Sequence, residues 1–163
     1  LLGMDLPNAV VLHSMSKIFR VPGLRIGFLT APEPIIGSMR RYSLPWSLNS
    51  LAQRTAIHLM TRREETDAFV RGSREFIKNE RRCMIAALAS HPGMIPFPSC
   101  TSFILIRLLH GLTAEVVCTS LARRRILIRN CANFEGLSDQ FIRISLKTAD
   151  INRRVTERLL AIS

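Results

Sequence analysis

Acids, aromatic rings and long apolar runs are all scarce in this sequence. Of its 163 residues, 12 are Asp or Glu against 23 Lys or Arg, which leaves a formal net charge of +11. Aromatic side chains make up 6% of the chain, with one Trp and one Tyr, too few for the stacking platform of a single-strand binder. No apolar stretch reaches the ~20 residues of a membrane span, so no membrane partner is expected. The four cysteines, Cys83, Cys100, Cys118 and Cys131, form no C-x-x-C pair, and His13, His58, His91 and His110 share no ligand spacing. No metal site is therefore expected. Reduced, mostly buried thiols and a cytoplasmic location are the matching expectations. The first residue is Leu rather than Met, and Leu1 to Pro7 lacks the basic region of a signal peptide, so an upstream N-terminus is expected.

What remains is globular: 47% apolar and 21% charged residues, outside the range of disordered or fibrous chains. Asn8 to His13 reads as a buried strand covered on both faces. A polar loop is expected at Ser14 to Lys17, then a turn at Val21 to Arg25 in which Gly23 supplies a positive φ. Ile26 to Thr30 reads as a second strand and Glu33 to Arg41 as a short helix. A further helix runs from Asn49 to Met60, with Leu51, Ala52, Ala56 and Leu59 near one face. Thr61-Arg62-Arg63-Glu64 has capping-box spacing. It predicts a long helix to about Ala89, with Phe69, Phe76, Ile77, Met84 and Leu88 as its apolar stripe. Strands are expected at Ser102 to Leu108, Ile126 to Arg129 and Phe141 to Leu146. Helices are expected at Thr113 to Arg124 and after Thr148, the last with a stripe of Ile151, Val155, Leu159 and Ile162. The pattern divides the chain at residues 1–60 and 61–163. The first part has too few strands to close a sheet, and the second reads as a complete small α/β domain.

The chemistry is concentrated in Ser14-Met15-Ser16-Lys17-Ile18-Phe19-Arg20-Val21-Pro22-Gly23-Leu24-Arg25-Ile26-Gly27. Two hydroxyls and a guanidinium suit the oxygens of a phosphate monoester. A neighbouring lysine, when neutral, can attack an aldehyde on the same ligand. Phosphate, aldehyde and lysine together describe pyridoxal 5′-phosphate (PLP). The S-x-x-K spacing of serine β-lactamases also fits Ser14 to Lys17. That motif opens a helix, however, and gives no reason for Pro22-Gly23-Leu24-Arg25-Ile26-Gly27.

The whole segment resembles the lysine motif of fold-type I PLP enzymes of the class I/II aminotransferase group, S-x-S-K-x-[FY]-x-x-[PA]-G-L-R-x-G. The resemblance implies that Lys17 bonds to the cofactor aldehyde and that Ser14, Ser16 and Arg25 bind its phosphate. It implies an α/β fold, namely the C-terminal part of a PLP-dependent transferase: the tail of the large domain plus the small domain. Arg129 and Arg143 punctuate apolar strands and fit the clamp for a substrate carboxylate, Arg143 first, since the family places an arginine in the strand that reads F-I-R-I-S here. The run I-R-N-C-x-N-F-x-G-L resembles the branch that decarboxylates L-threonine O-3-phosphate in cobalamin biosynthesis. Histidinol-phosphate aminotransferases are its near relatives. Leu44-Pro45-Trp46-Ser47-Leu48-Asn49 is similar to that branch's P-W-x-x-N loop, which adds Asn49 to the substrate-binding set. The implied partners are a phosphorylated amino acid and, for a full-length protein, a second copy as homodimer. The family's partners for the pyridine nitrogen and 3-hydroxyl precede the lysine and are not in these residues. The chain is therefore expected to be a fragment, inactive alone.

A basic binding module without catalysis is the rival reading. Arg62, Arg63, Arg71, Arg74, Lys78, Arg81 and Arg82 line the long helix, and Arg123, Arg124 and Arg125 cluster. Glu64, Glu65, Asp67, Glu75 and Glu80 interleave with the first set, so a solvated helix face is expected and no nucleic-acid partner.

Overall fold

A computed structural model describes residues 8–162; the reading of Leu1 to Pro7 lies outside them. The chain divides into two compact units, Leu1–Val70 and Arg71–Ser163. In the first, β1 (Val11–Ser14) and β2 (Gly27–Thr30) form an antiparallel ribbon with Ser14 opposite Gly27 and His13 opposite Phe28. Between them come a one-turn helix, α1 (Met15–Ile18), and a 3-10 turn at Pro22–Leu24. Two further helices follow, α2 (Glu33–Arg40) and α3 (Ser50–Thr61). Met15, Ile26 and Ala52 make the buried core of this unit, with Phe19, Val21, Leu24, Leu48, Ala56 and Leu59 packed around it.

Several expectations change here. The loop at Ser14 to Lys17 is a helical turn, in which the Phe19 amide donates to the Met15 carbonyl at 3.2 Å. A helical opening therefore does not separate the two readings of S-x-x-K; the segment after it does. Positive φ falls on Arg20 (54°) and Arg25 (49°), not on Gly23. The glycine that the ribbon requires is Gly27, where a Cβ would sit 2.5 Å from the His13 carbonyl oxygen. β1 is not covered on both faces: Leu12 is 78% exposed, and the strand pairs with β2 alone among the described residues. Leu51 likewise faces outward while Ala52 is buried.

α4 (Arg63–Leu88) crosses the unit boundary. Its expected capping box does not form. Thr61 ends α3 instead, its hydroxyl donating to the Ile57 carbonyl at 2.9 Å. The apolar stripe is buried only at Met84 and Leu88, whereas Phe69 and Phe76 are exposed. Charged neighbours along α4 pair with one another, Arg63 with Asp67 at 3.8 Å and Lys78 with Glu75 at 3.9 Å. This is the solvated face that the interleaved charges suggested.

The second unit is a four-stranded antiparallel sheet of order β3-β4-β6-β5. Its strands are β3 (Met94–Pro96), β4 (Phe103–Leu108), β5 (Arg129–Asn130) and β6 (Phe141–Ser145). One face carries Ile104, Ile106, Leu108, Ile142 and Ile144. It packs on Met84 and Leu88 of α4, on Val117 and Leu121 of α5 (Ala114–Ala122), and on Val155 and Leu159 of α6 (Ala149–Leu160). β3 is too short, and too close to a proline, to show a strand pattern. The strand expected at Ile126 to Arg129 begins only at Arg129. Arg125 turns the chain at φ 59°, and the Ile126 amide donates back to the Leu121 carbonyl at 3.0 Å instead of to a neighbouring strand. Thr113 caps α5 as expected, its side chain accepting from the Val116 amide. On α6 the inner position next to Ile151 is taken by Asn152, buried, while Ile151 is exposed. All four thiols are free; Cys131 is buried, but Cys83 and Cys100 are exposed, contrary to expectation. No helix is long and apolar enough to cross a membrane, and no His/Cys/Asp/Glu cluster suits a metal among the described residues.

Two substitutions test this packing. Gly27→Ala forces a methyl into the His13 carbonyl and should cost about 1–3 kcal/mol of stability; urea unfolding followed by circular dichroism checks it. Asn152 donates to the Glu80 carboxylate at 2.7 Å and to the Lys147 carbonyl at 3.1 Å, and accepts from the Lys147 amide at 2.7 Å. Asn152→Ala leaves these groups unpaired and should cost about 2–3 kcal/mol. Equal urea midpoints for variant and parent would refute either account.

Candidate active site

Ser14, Ser16 and Arg25 come together in a shallow cleft of about 430 Å³ at the end of the ribbon, beside His13, Gly27 and Phe28. Each donor is placed by its local structure. Ser14 ends β1 in extended geometry before α1, and its hydroxyl makes no capping bond to the helix. Ser16 is 5% exposed, and its hydroxyl reaches only the Ile26 carbonyl, at 3.5 Å. That is the outer limit of a hydrogen bond, so its donor capacity is barely used. Arg25 leaves the 3-10 turn in left-handed geometry and pairs with no carboxylate among the described residues. Two hydroxyls and an unpaired guanidinium at one concavity fit a phosphate monoester.

Lys17 and Asn49 are placed differently. Lys17 follows Ser16 on α1, is exposed and does not line the cleft. Asn49 caps α3: its side-chain oxygen accepts from the Ala52 amide at 2.9 Å, and its amide nitrogen donates to the Leu24 carbonyl at 3.4 Å. It thereby ties α3 to the turn that presents Arg25. Both polar ends of that side chain are engaged within the chain.

His13 is the cleft residue that sequence reasoning passed over as structural. Its ring stacks on Phe28 with centroids 4.5 Å apart and planes 13° apart, yet its Nε2 is buried without a hydrogen-bond partner. A buried imidazole nitrogen left unpaired costs free energy, and a bound anion or hydroxyl would relieve it. The available signal was a polar ring closing an apolar strand directly before Ser14.

In the second unit the pleat turns Arg129 and Arg143 to the sheet face away from the helices. They are direct cross-strand neighbours in the β5–β6 register. The Arg143 guanidinium lies 4.8 Å from the Phe103 ring centroid and 6.0 Å from that of Phe134; Arg129 lies 5.2 Å from Phe134. Asn133 accepts from Arg129 Nη2 at 3.0 Å, and Arg143 Nε is buried without a partner. No carboxylate pairs with either arginine among the described residues. Like charges set opposite one another are destabilising, so this pair is poised for an anion. Burial pushes the Cys131 thiol up, against the pull of Arg143 and Arg129, and burial followed by Cys131 pushes Cys118 up. Both thiols are thus held neutral, unlike a nucleophilic cysteine.

The class I and II aminotransferase family model matches residues 1–161. A histidinol-phosphate aminotransferase of Chlorobium luteolum is 32% identical over 155 residues, covering 95% of this chain and 41% of that protein. A threonine-phosphate decarboxylase of Salmonella typhimurium is also 32% identical, over 162 residues, covering 96% of this chain and 41% of that protein. The crystal structure of L-threonine-O-3-phosphate decarboxylase from Porphyromonas gingivalis superposes with a TM-score of 0.83 at 29% identity, covering 95% of this chain and 46% of that one. The chain thus spans about two-fifths of the length of the curated relatives it matches. Its mixed helix-and-sheet architecture is that of the PLP-dependent transferases. The chain belongs to the class I and II aminotransferase family, whose members depend on PLP.

Proposed function

We propose that this chain carries part of the machinery of a PLP-dependent decarboxylase that converts L-threonine O-3-phosphate to (R)-1-aminopropan-2-yl phosphate in cobalamin biosynthesis. The observation that carries the reading is the carboxylate-free arginine pair, held by the N-C-A-N-F segment. When bound, PLP would supply an electron sink for the pair left at the substrate α-carbon when one of its bonds breaks. Ser14 and Ser16 donate hydroxyl hydrogens to the cofactor phosphate, and Arg25 neutralises its charge. Lys17 would hold the cofactor through its Nζ, and the same amine, when free, would carry a proton to the substrate α-carbon. Arg129 and Arg143 orient the substrate carboxylate, and that orientation selects decarboxylation over loss of the α-hydrogen. The chain alone is inactive, and the whole protein works as a cytoplasmic homodimer.

The second reading is histidinol-phosphate aminotransfer, favoured by the equal 32% identity to a relative of that name. The whole protein decides between them. Release of carbon dioxide from L-threonine O-3-phosphate with no keto-acid acceptor supports the first; amino transfer from histidinol phosphate to 2-oxoglutarate supports the second and overturns the first. The lysine is tested separately. Borohydride added to the chain with PLP should fix the cofactor on Lys17, seen by peptide mass spectrometry, and Lys17→Ala should abolish the label. Labelling of other lysines alone would remove Lys17 from the site.

A further inference from the structure

We infer that Asn133 and Phe134 are positioning residues, which with Phe103 set the guanidiniums of Arg129 and Arg143 side by side as one receptor for a phosphate or carboxylate anion. The inference rests on the proposed reading of the pair as a substrate clamp. Two guanidiniums on opposed strands with no acid between them repel, and free side chains would swing apart into water. These do not. Phe134 offers its ring to both, at 5.2 and 6.0 Å, and Phe103 holds Arg143 from its other neighbour position at 4.8 Å. A ring face attracts a cation without consuming its N–H donors. Asn133 takes one donor of Arg129, at Nη2, which fixes the plane of that group. The rest of the fork stays free, and Arg143 Nε, buried and unpaired, is a donor waiting for an acceptor.

The local sequence builds this arrangement. Asn130 accepts from the Ala132 amide at 2.9 Å, an Asx turn at the end of β5. The Phe134 amide donates to the Cys131 carbonyl at 3.0 Å, and the Leu137 amide to the Phe134 carbonyl at 3.1 Å. Gly136, at φ 79°, then returns the chain toward β6. The spacing N-C-A-N-F-E-G thus delivers Phe134 over the arginines. Phe134 is 40% exposed and outside the core cluster, so filling the core is not its role.

The test needs no cofactor, so a failure to label Lys17 leaves it untouched. The chain is labelled with ¹⁵N-arginine, and the Nε–H cross-peaks of Arg129 and Arg143 are followed as inorganic phosphate is added. In the parent chain phosphate should shift the Arg143 Nε–H. Phe134→Ala should move both cross-peaks toward the position of exposed arginine and weaken phosphate binding roughly tenfold. Phe134→Tyr keeps the ring face and should restore both. Asn133→Ala should displace the Arg129 signal alone. The inference is overturned if phosphate leaves the parent Arg143 signal in place, if Phe134→Ala changes neither signal nor affinity, or if Tyr does no better than Ala. Loss of the folded backbone spectrum in Phe134→Ala would also overturn it, since Phe134 would then be a core residue.

Discussion

The strand register of the four-stranded sheet is the constraint on which the second unit depends. With Ile104 opposite Ile144 and Ile106 opposite Ile142, four isoleucines enter the core together. Each contributes about 1.5–3 kcal/mol by leaving water. The pleat alternates, so the same pairing that buries the isoleucines sends Arg143 and its cross-strand neighbour Arg129 to the other face. A slip of one residue would exchange the two sets and drive a guanidinium into the helices. Such a charge, without a partner, would cost more than the isoleucines gain. The core therefore fixes where the arginines stand, and short-range geometry only has to refine their orientation.

The first unit solves a similar problem with a small core, three buried apolar side chains among its described residues. Its precision comes from backbone contacts. Gly27 lets β2 lie against the His13 carbonyl, which holds Ser14 at the level of the chain leaving the 3-10 turn. The Met15 amide donates to the Ile26 carbonyl at 3.2 Å, locking the start of α1 to the residue after Arg25. Asn49 fastens α3 to that turn from the other side. Three hydrogen-bonding side chains, Ser14, Ser16 and Arg25, are thereby fixed around one cleft by bonds that use none of their own donors strongly.

What could be read in the sequence follows from which forces act over short spans. The motif from Ser14 to Gly27 was legible because each of its residues answers a local need, and the family assignment came from it. Strand alternation in Phe141 to Ser145 was legible for the same reason. The one-turn helix at Met15 was not, since four residues carry no period. Thr61 read as the start of a helix because its spacing to Glu64 is right, yet its hydroxyl was already taken by the preceding turn of α3. Asn152 defeated the stripe of α6 through a partner 72 residues away, Glu80, which no window along the chain can reveal. His13 and Phe134 were missed because their significance lies in what they face.

In the proposed reading the two anion sites differ in a way that bears on chemistry. The cleft in the first unit joins neutral hydroxyl donors to one guanidinium, a set that would suit a phosphate without demanding a single direction. The arginines of the second unit lie over the Phe103 and Phe134 rings, and a guanidinium's rigid fork can constrain direction as well as charge. On an amino acid, decarboxylation and amino transfer start from the same carboxylate and the same cofactor; histidinol phosphate carries no α-carboxylate. They differ in which α-carbon bond breaks, the one to the carboxylate or the one to hydrogen. A receptor that merely attracted a carboxylate would not discriminate between them; one whose guanidinium planes are set by Phe103, Asn133 and Phe134 could. In the proposed reading the choice of reaction therefore resides less in the two arginines, which any anion clamp could use, than in the uncharged side chains that hold their planes.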